Sequence, residues 1–225
     1  MISICLPSRK RSSYFSNMCK TALENAHSQD NVEFVTYRDA DDIQIYEYIG
    51  NHKEVIMPRT SEIFQMWNEA QKIATGPIYM FTADDFIFTS KDWDLEVLEE
   101  FEKCKDKIIL LAVNNGINWD KYGFSGLGFV HKRWVDAIGY LFPNYHYPNN
   151  ADKWVNDLAV MIGRRKKLNM TCECTMENIR DNVHCNKSKY SAPWRKTYYE
   201  EYAVELRKKD AEKLNAVINN HTSTQ

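Results

Sequence analysis

The sequence predicts an α/β fold, a single domain with a mostly parallel central sheet flanked by helices and a C-terminal helical tail. Three observations predict it. Short apolar strand patterns alternate with amphipathic helical patterns through the first half of the chain. The helices are long enough to carry crossovers between parallel strands. Charged clusters follow three strands directly, at the carboxyl ends where open α/β sheets bind ligands.

Each element has its own signal. Ile2-Ser3-Ile4-Cys5-Leu6 reads as a strand stopped by Pro7, which cannot donate to a ladder. Ser12 or Ser13 can cap the following helix, in which Phe15, Met18, Cys19, Ala22, Leu23 and Ala26 recur on one face. Val32 to Tyr37 alternates as a second strand, and Lys53 to Met57 makes a third, closed by Pro58. Between them, Asp42 is expected to cap a short helix from Ile43 to Ile49. Ile63, Met66, Trp67, Ala70, Ile73 and Ala74 form the buried stripe of a helix that Gly76-Pro77 ends. The strand 78–82 follows, then a helix from Leu95 to Cys104 and a strand from Lys107 to Val113.

The second half is less regular. Residues 114–128, rich in Asn and Gly, and 142–150 read as loops. A helix from about Asp152 to Gly163 buries Val155, Leu158, Ala159 and Ile162, and Leu168 to Met176 reads as a strand. Thr197 and Glu200 have capping-box spacing and open a charged helix running to about Asn219. Residues 1–190 are therefore expected to form the main domain, with 191–225 a helical extension packed on it.

Composition narrows the class. The chain has 225 residues, 44% hydrophobic and 27% charged, which is too apolar for disorder. A formal net charge of -2 gives no global attraction to nucleic acid or to a membrane. The longest apolar run, Ile108 to Val113, is strand-sized and far short of a membrane span. No basic segment followed by a long apolar one opens the chain, so a cytoplasmic location is expected, the host's cytoplasm if the protein is viral. The cysteines at 5, 19, 104, 172, 174 and 185 are scattered, which predicts reduced thiols.

The chemistry sits at the strand ends. Pro7-Ser8-Arg9-Lys10-Arg11 follows the first strand, Arg38-Asp39-Ala40-Asp41-Asp42 the second, and Ala83-Asp84-Asp85 the strand 78–82. Cations and carboxylates on one rim suit a phosphorylated ligand held through Mn2+ or Mg2+, because carboxylates are hard oxygen ligands and the ion bridges to diphosphate oxygens.

These residues, together with Trp67-Asn68-Glu69-Ala70, Ala74-Thr75-Gly76-Pro77, Trp93-Asp94, Gly126-Leu127-Gly128-Phe129, Asp152-Lys153-Trp154 and the late His184, resemble the GT-A glycosyltransferases. The similarity is greatest to small family-two-like members from phages and large viruses, and it runs over roughly residues 2–190. The resemblance implies a GT-A-like domain in which Pro7, Ser8, Arg9 and Asp39 hold the nucleotide, with Arg59 and Asn68 beside them. It implies that Asp84 meets the sugar-nucleotide diphosphate, and that Asp85 and His184 hold the divalent ion. It also implies an acid near the start of the helix after the acceptor loop, where Asp152 stands, as the base of an inverting transfer. One position departs from the family signature Asp-x-Asp: the triplet is either Ala83-Asp84-Asp85 or Asp84-Asp85-Phe86, and in both one acidic place is missing.

Several readings stay open on the sequence. Asp152 sits where an N-cap would, and a helix N-terminus lowers the basicity of a carboxylate, so Asp157 is the alternative base. Cys172, Cys174, His184 and Cys185 can be read as a zinc site, which would withdraw His184 from the catalytic ion. Trp93, Trp119, Tyr145 and His146 are candidate acceptor contacts. Arg164 to Lys167 and Lys187 to Lys196, interleaved with Tyr190 and Trp194, read either as an ordinary solvated surface or as contacts to phosphates of a nucleic-acid acceptor or of the donor. The expected activity is transfer of a sugar from a nucleoside diphosphate sugar, UDP-linked by preference, to an acceptor hydroxyl. A hydroxymethylated pyrimidine in DNA and a glycan or protein are both compatible acceptors. A nucleotidyltransferase and a non-catalytic nucleotide-sugar-binding module are the rivals; the first is disfavoured because no glycine follows the first strand.

Overall fold

A computed structural model describes residues 1–60, 62–115, 125–143, 151–175 and 198–222. The strands are β1 (Ile2–Ser8), β2 (Val32–Asp39), β3 (Asn51–Met57), β4 (Ile78–Phe81), β5 (Phe86–Phe88), β6 (Leu110–Asn114), β7 (Gly128–His131) and β8 (Arg165–Cys174). The helices are α1 (Ser12–Asn25), α2 (Ile63–Ile73), α3 (Trp93–Lys103), α4 (Lys132–Ile138), α5 (Ala151–Met161) and α6 (Glu201–Thr222).

The strands form one sheet in the order β3-β2-β1-β4-β7-β6-β8-β5. β1, β2, β3 and β4 pair in parallel, as do β6 and β8. β7 runs antiparallel between β4 and β6, and β5 runs antiparallel to β8. The two reversals across β7 cancel, so β6 and β8 point the same way as β1 to β4. All six of these strands therefore present their carboxyl ends on one rim.

The sequence alternation explains why the sheet is covered on both faces. Ile2, Ile4 and Leu6 of β1 face one core with Phe15, Met18, Cys19 and Ala22 of α1 and Trp93, Val97 and Phe101 of α3. Cys5 faces the other core with Phe64, Met66 and Ala70 of α2, Trp134 of α4, Trp154 and Leu158 of α5, and Ala211 and Leu214 of α6. The C-terminal helix thus shares the main core. Arg207 of α6 lies over the rings of Trp154 and Tyr198, and its Nη2 donates to the Tyr198 carbonyl at 2.9 Å.

Four expectations are corrected. β1 continues through Pro7 to Ser8. Its ladder to β4 ends at Cys5, so beyond that point β1 is an edge on that side, where a strand proline is tolerated. Residues 43–49 form no helix, because their polar groups bond to neighbouring segments instead, as described below. The short elements β5, β7 and α4 lie in segments to which the sequence assigns no element, except that Gly128 ends the stretch 114–128 read as a loop. Helix α3 starts at Trp93, two residues earlier than expected, after Asp92 in the left-handed conformation.

Gly128 starts β7 beside the carboxyl ends of β4 and β6, opposite Phe81 and Ala112. A Cβ there would lie 2.9 Å from Leu110 Cδ1, 3.0 Å from the Leu111 carbonyl and 3.0 Å from Phe81 Cζ. Gly128→Ala is therefore expected to cost about 1–3 kcal/mol, the usual range for overpacking. Urea unfolding reads this as a lower midpoint with an unchanged slope, and an unchanged midpoint would contradict the packing described.

Candidate functional site

The rim is built outward from β1. Its register with β2 sets Ser8 beside Arg38, so the turn after Ser8 meets the turn after Asp39. Arg9 is buried and donates from Nη1 to Asp39 Oδ2 at 3.0 Å and from Nη2 to Asp41 Oδ2 at 2.9 Å. Its Nη1 also contacts the other oxygen of Asp41. Lys10 then takes a left-handed turn (φ 55°), and its backbone N–H donates to Asp42 Oδ2 at 2.8 Å.

Asp42 is consequently a buried acceptor rather than a helix cap. It also receives the Tyr46 hydroxyl at 2.8 Å and the Gln44 backbone N–H at 3.1 Å. The Arg38 guanidinium sits over the Tyr46 ring, 5.0 Å from its centroid, and pairs with Glu54 of β3. These bonds hold 42–46 in an irregular path and explain the missing helix.

The acidic turn is held between two strands. β4 ends at Phe81 and β5 begins at Phe86, so residues 82–85 must cross from the centre of the sheet to its far edge. Trp67 Nε1 donates to the Thr82 carbonyl at 3.0 Å, and the Asp85 carbonyl accepts Thr175 N–H at 2.8 Å and Thr175 Oγ1 at 3.0 Å. Both carboxylates are buried: Asp84 is 3% exposed and Asp85 7%. Ser8 Oγ donates to Asp84 Oδ2 at 2.7 Å, and Arg11 Nη1 donates to Asp84 Oδ1 at 3.1 Å. Arg11 Nη1 also lies 3.6 Å from Asp85 Oδ2.

Burial dominates the electrostatics. It pushes the Asp84 carboxyl up to about 6, with Asp85 adding to the rise while the Ser8 hydrogen bond and Arg11 oppose it. Asp85 is raised for the same first reason, again against Arg11. Around this rim two guanidinium groups face the four carboxylates of Asp39, Asp41, Asp84 and Asp85. Asp85 Oδ1, Asp39 Oδ1 and Arg9 Nε are buried without a hydrogen-bond partner among the described residues. Buried polar atoms are nearly always satisfied, so these three are atoms that water or a ligand would complete.

Asp85 Oδ1 is a hard oxygen donor of the kind that holds Mn2+ or Mg2+, so the turn fits such an ion, with Asp84 adjoining. Among the described residues, no group of three or more His, Cys, Asp or Glu side chains is placed to hold a metal. The remaining ligands must then come from a bound molecule, water or residues outside the described set.

The other half of the rim carries Asp152. Ser125 Oγ donates to the carbonyls of Val113 and Leu127, fixing it at the carboxyl end of β6. Asn156 Nδ2 donates to the Ser125 carbonyl at 2.9 Å and to the Asp152 carbonyl at 2.9 Å. The first turn of α5 is thereby fastened to the same rim as the acidic turn. Asp152 is half-buried, lies inside α5 rather than capping it, and accepts the N–H of Lys153 at 2.8 Å. Burial pushes its carboxyl up to about 6, against the backbone hydrogen bonds. The expected lowering by the helix N-terminus is therefore outweighed. Asp157 instead accepts Lys153 Nζ at 2.6 Å and the Tyr198 hydroxyl at 2.5 Å, which engages it in packing α5 against the Tyr198 region.

The remaining candidates separate clearly. Trp93 is 1% exposed, donates its indole N–H to the Ala22 carbonyl at 2.9 Å and stacks near Phe129. It is a core residue and cannot touch an acceptor. Asn68 spends its side chain on the backbone of Leu141 and Phe142, accepting from both and donating to the latter. It shapes the loop rather than reaching the rim. Pro7 is buried within β1, and Arg59 is exposed after β3; Asp41, lowered chiefly by its hydrogen bond from Arg9, is lowered a little further by the Arg59 charge.

Cys172 lies in the apolar core, while Cys174 is exposed. The basic run 164–167 lies at the opposite end of the sheet: Arg165 pairs with Leu110 at the start of β6. There Arg164 pairs with Asp106 and Lys166 with Glu100. His184, Trp119, Tyr145, His146, Cys185 and the basic residues of 187–196 lie outside the described residues. Arg11 and Tyr46 had no role assigned from sequence. The only signal for Arg11 was its place in the charged run after β1, and nothing marked Tyr46.

No protein-family model matches the sequence, and no curated protein is similar to it by sequence. Solved structures are similar in fold. Staphylococcus aureus TarS in complex with UDP-GlcNAc superposes with a TM-score of 0.59 at 15% identity, over 79% of this chain and 59% of that one. The mannosyltransferase PcManGT from Pyrobaculum calidifontis, in complex with GDP-Man and Mn2+, gives 0.62 at 11% identity, over 100% of this chain and 75% of that one. The fold is GT-A-like. The chain spans 36% of the longer TarS structure and 60% of TarS 1-349 in complex with UDP.

The Asp84 shift has a sign that can be tested. The folded chain holds this proton up to about 6 and the unfolded chain only to its ordinary 3.8, so this carboxyl costs stability progressively as pH rises through that window. Asp152 acts with the same sign over the same range. Calorimetry of Asp84→Asn against the parent should therefore show the variant gaining in relative melting temperature from about pH 4 to pH 6 and levelling above it. A difference that shrinks over that interval would contradict the burial argument.

Proposed function

We propose that this protein is a divalent-metal-dependent glycosyltransferase that moves a sugar from a nucleoside diphosphate sugar, UDP-linked by preference, to an acceptor hydroxyl with inversion. The observation that carries the reading is the buried Asp84-Asp85 pair, with Asp85 Oδ1 unpaired, at the same rim as Arg9 and Asp39. The GT-A-like fold supports it, as do the ligands of its structural neighbours, UDP and UDP-GlcNAc with TarS and GDP-Man with Mn2+ for PcManGT.

Each residue then has a chemical task. Asp39 Oδ1 and Arg9 Nε are the unpaired acceptor and donor available to the base or ribose, and the Arg9–Asp39–Asp41 pairing holds both in place. Asp85, with Asp84 beside it, would hold the ion and with it the diphosphate. A divalent ion bound there neutralises the charge that gathers on the departing diphosphate. Asp152 takes the acceptor hydroxyl proton as the oxygen bonds to the anomeric carbon, and the electron pair of the breaking bond leaves on the diphosphate. A carboxyl raised to about 6 is a stronger base than an ordinary aspartate and is still mostly ionised at neutral pH.

The basic run 164–167 does not serve a DNA acceptor at this rim, because it sits at the far end of the sheet. A hydroxymethylated pyrimidine in DNA remains one acceptor of this proposal, and a glycan or protein hydroxyl the other.

The assay is release of nucleoside diphosphate from UDP- and GDP-sugars with Mn2+, with hydroxymethylated duplex DNA and oligosaccharides as separate acceptors. Asp85→Asn is expected to reduce turnover by at least about 100-fold, as does removal of the ion by a chelator. Asp152→Asn should lose about 10²–10⁴-fold in kcat while still binding donor. The wild-type rate should rise with pH through about 6. Nucleotide binding without turnover of any donor would instead leave a binding module, and full activity of Asp85→Asn would remove the acidic turn from the mechanism.

A further inference from the structure

The two carboxylates of the acidic turn already share a cation, and it belongs to the chain. Arg11 Nη1 lies 3.1 Å from Asp84 Oδ1 and 3.6 Å from Asp85 Oδ2, and its side chain is only 14% exposed. A guanidinium so placed bridges the pair from one side, while Asp85 Oδ1 remains buried and unpartnered on the other. Arg11 comes from the turn between β1 and α1, where it occupies the N-cap position with φ -138° and ψ 37° and no side-chain capping bond. Its side chain reaches the acidic turn from there. No acid stands at position 83, so this guanidinium bridges the only two carboxylates in the turn.

We infer that Arg11 is a built-in competitor of the divalent ion, holding Asp84 and Asp85 together until a diphosphate draws it away. The inference rests on the metal-diphosphate reading of this rim. Its physical basis is that two like carboxylates at this burial repel, and one cation between them relieves the repulsion. An ion bound to Asp85 brings a second positive charge within a few ångströms of Arg11, which is unfavourable until an anion is shared between them. A diphosphate supplies that anion, and a guanidinium binds phosphate oxygens readily. Ion and nucleotide thus favour each other's binding, and Arg11 is the residue that couples them. Arg11 is accordingly a positioning residue in the absence of donor and a diphosphate contact in its presence.

The test measures Mn2+ binding by calorimetry without nucleotide and then with UDP. In Arg11→Gln, Mn2+ alone is expected to bind about tenfold tighter than in the parent, and the gain that UDP confers on Mn2+ binding is expected to shrink. Arg11→Lys, which keeps the charge and so the fold but loses the planar fork, should tighten Mn2+ binding by a smaller factor and decides the matter if the glutamine variant does not fold. Mn2+ affinity unchanged or weaker in both variants, with binding abolished by Asp85→Asn, overturns this inference and leaves the metal site standing. Absence of Mn2+ binding in the parent and in both variants overturns the metal site and this inference together.

Discussion

Two guanidinium groups holding four carboxylates at the end of a buried parallel sheet are the interaction on which the rest of this structure depends. Arg9 pairs with Asp39 and Asp41, and Arg11 with Asp84 and Asp85. Asp39, Asp84 and Asp85 are buried, so without these partners the rim would gather unpaired like charge in a low dielectric. The parallel register of β1 with β2 and β4 makes the gathering unavoidable, because it brings three charged turns to one end. Fold and site are therefore one problem: the strands that bury the apolar core also concentrate the acids.

Incomplete pairing links this arrangement to the proposed function. Two arginines meet four carboxylates, and Asp85 Oδ1 stays buried without a hydrogen-bond partner among the described residues. A solvent-exposed acidic turn would respond less to a nearby cation, since water and salt would screen it. Burial instead raises Asp84 and makes the pair respond to any cation that can reach it. The same physics acts at Asp152, where desolvation outweighs the helix N-terminus and leaves a better proton acceptor than its position alone implies.

Much of this was legible in the residues. The Ile2/Ile4/Leu6 alternation, the helical stripe from Phe15 to Leu23 and the three charged strand ends reported both the sheet and the rim at which the charged turns gather. What was hidden depended on distant partners. Residues 43–49 have helical length and an acidic start, yet Asp42 bonds to the Lys10 backbone and to Tyr46, and Arg38 covers the Tyr46 ring. Trp93 looks like an aromatic on a loop after a ligand-binding turn, and only packing shows that its indole closes onto Ala22. Asn68 sits in a motif that resembles the family, but its amide serves the backbone of residues 141–142. Each case is a tertiary contact overriding a local preference, which no spacing rule contains.

The most direct test of this account is paramagnetic mapping of Mn2+ by NMR in the presence of UDP. Amide signals of residues 8–11, 39–42 and 83–86 are expected to broaden first, while those of 106–108 and 131–133, at the opposite end of the sheet, persist. Broadening centred on that opposite end, or spread evenly over the surface, would contradict the assignment of the acidic rim as the metal-diphosphate site.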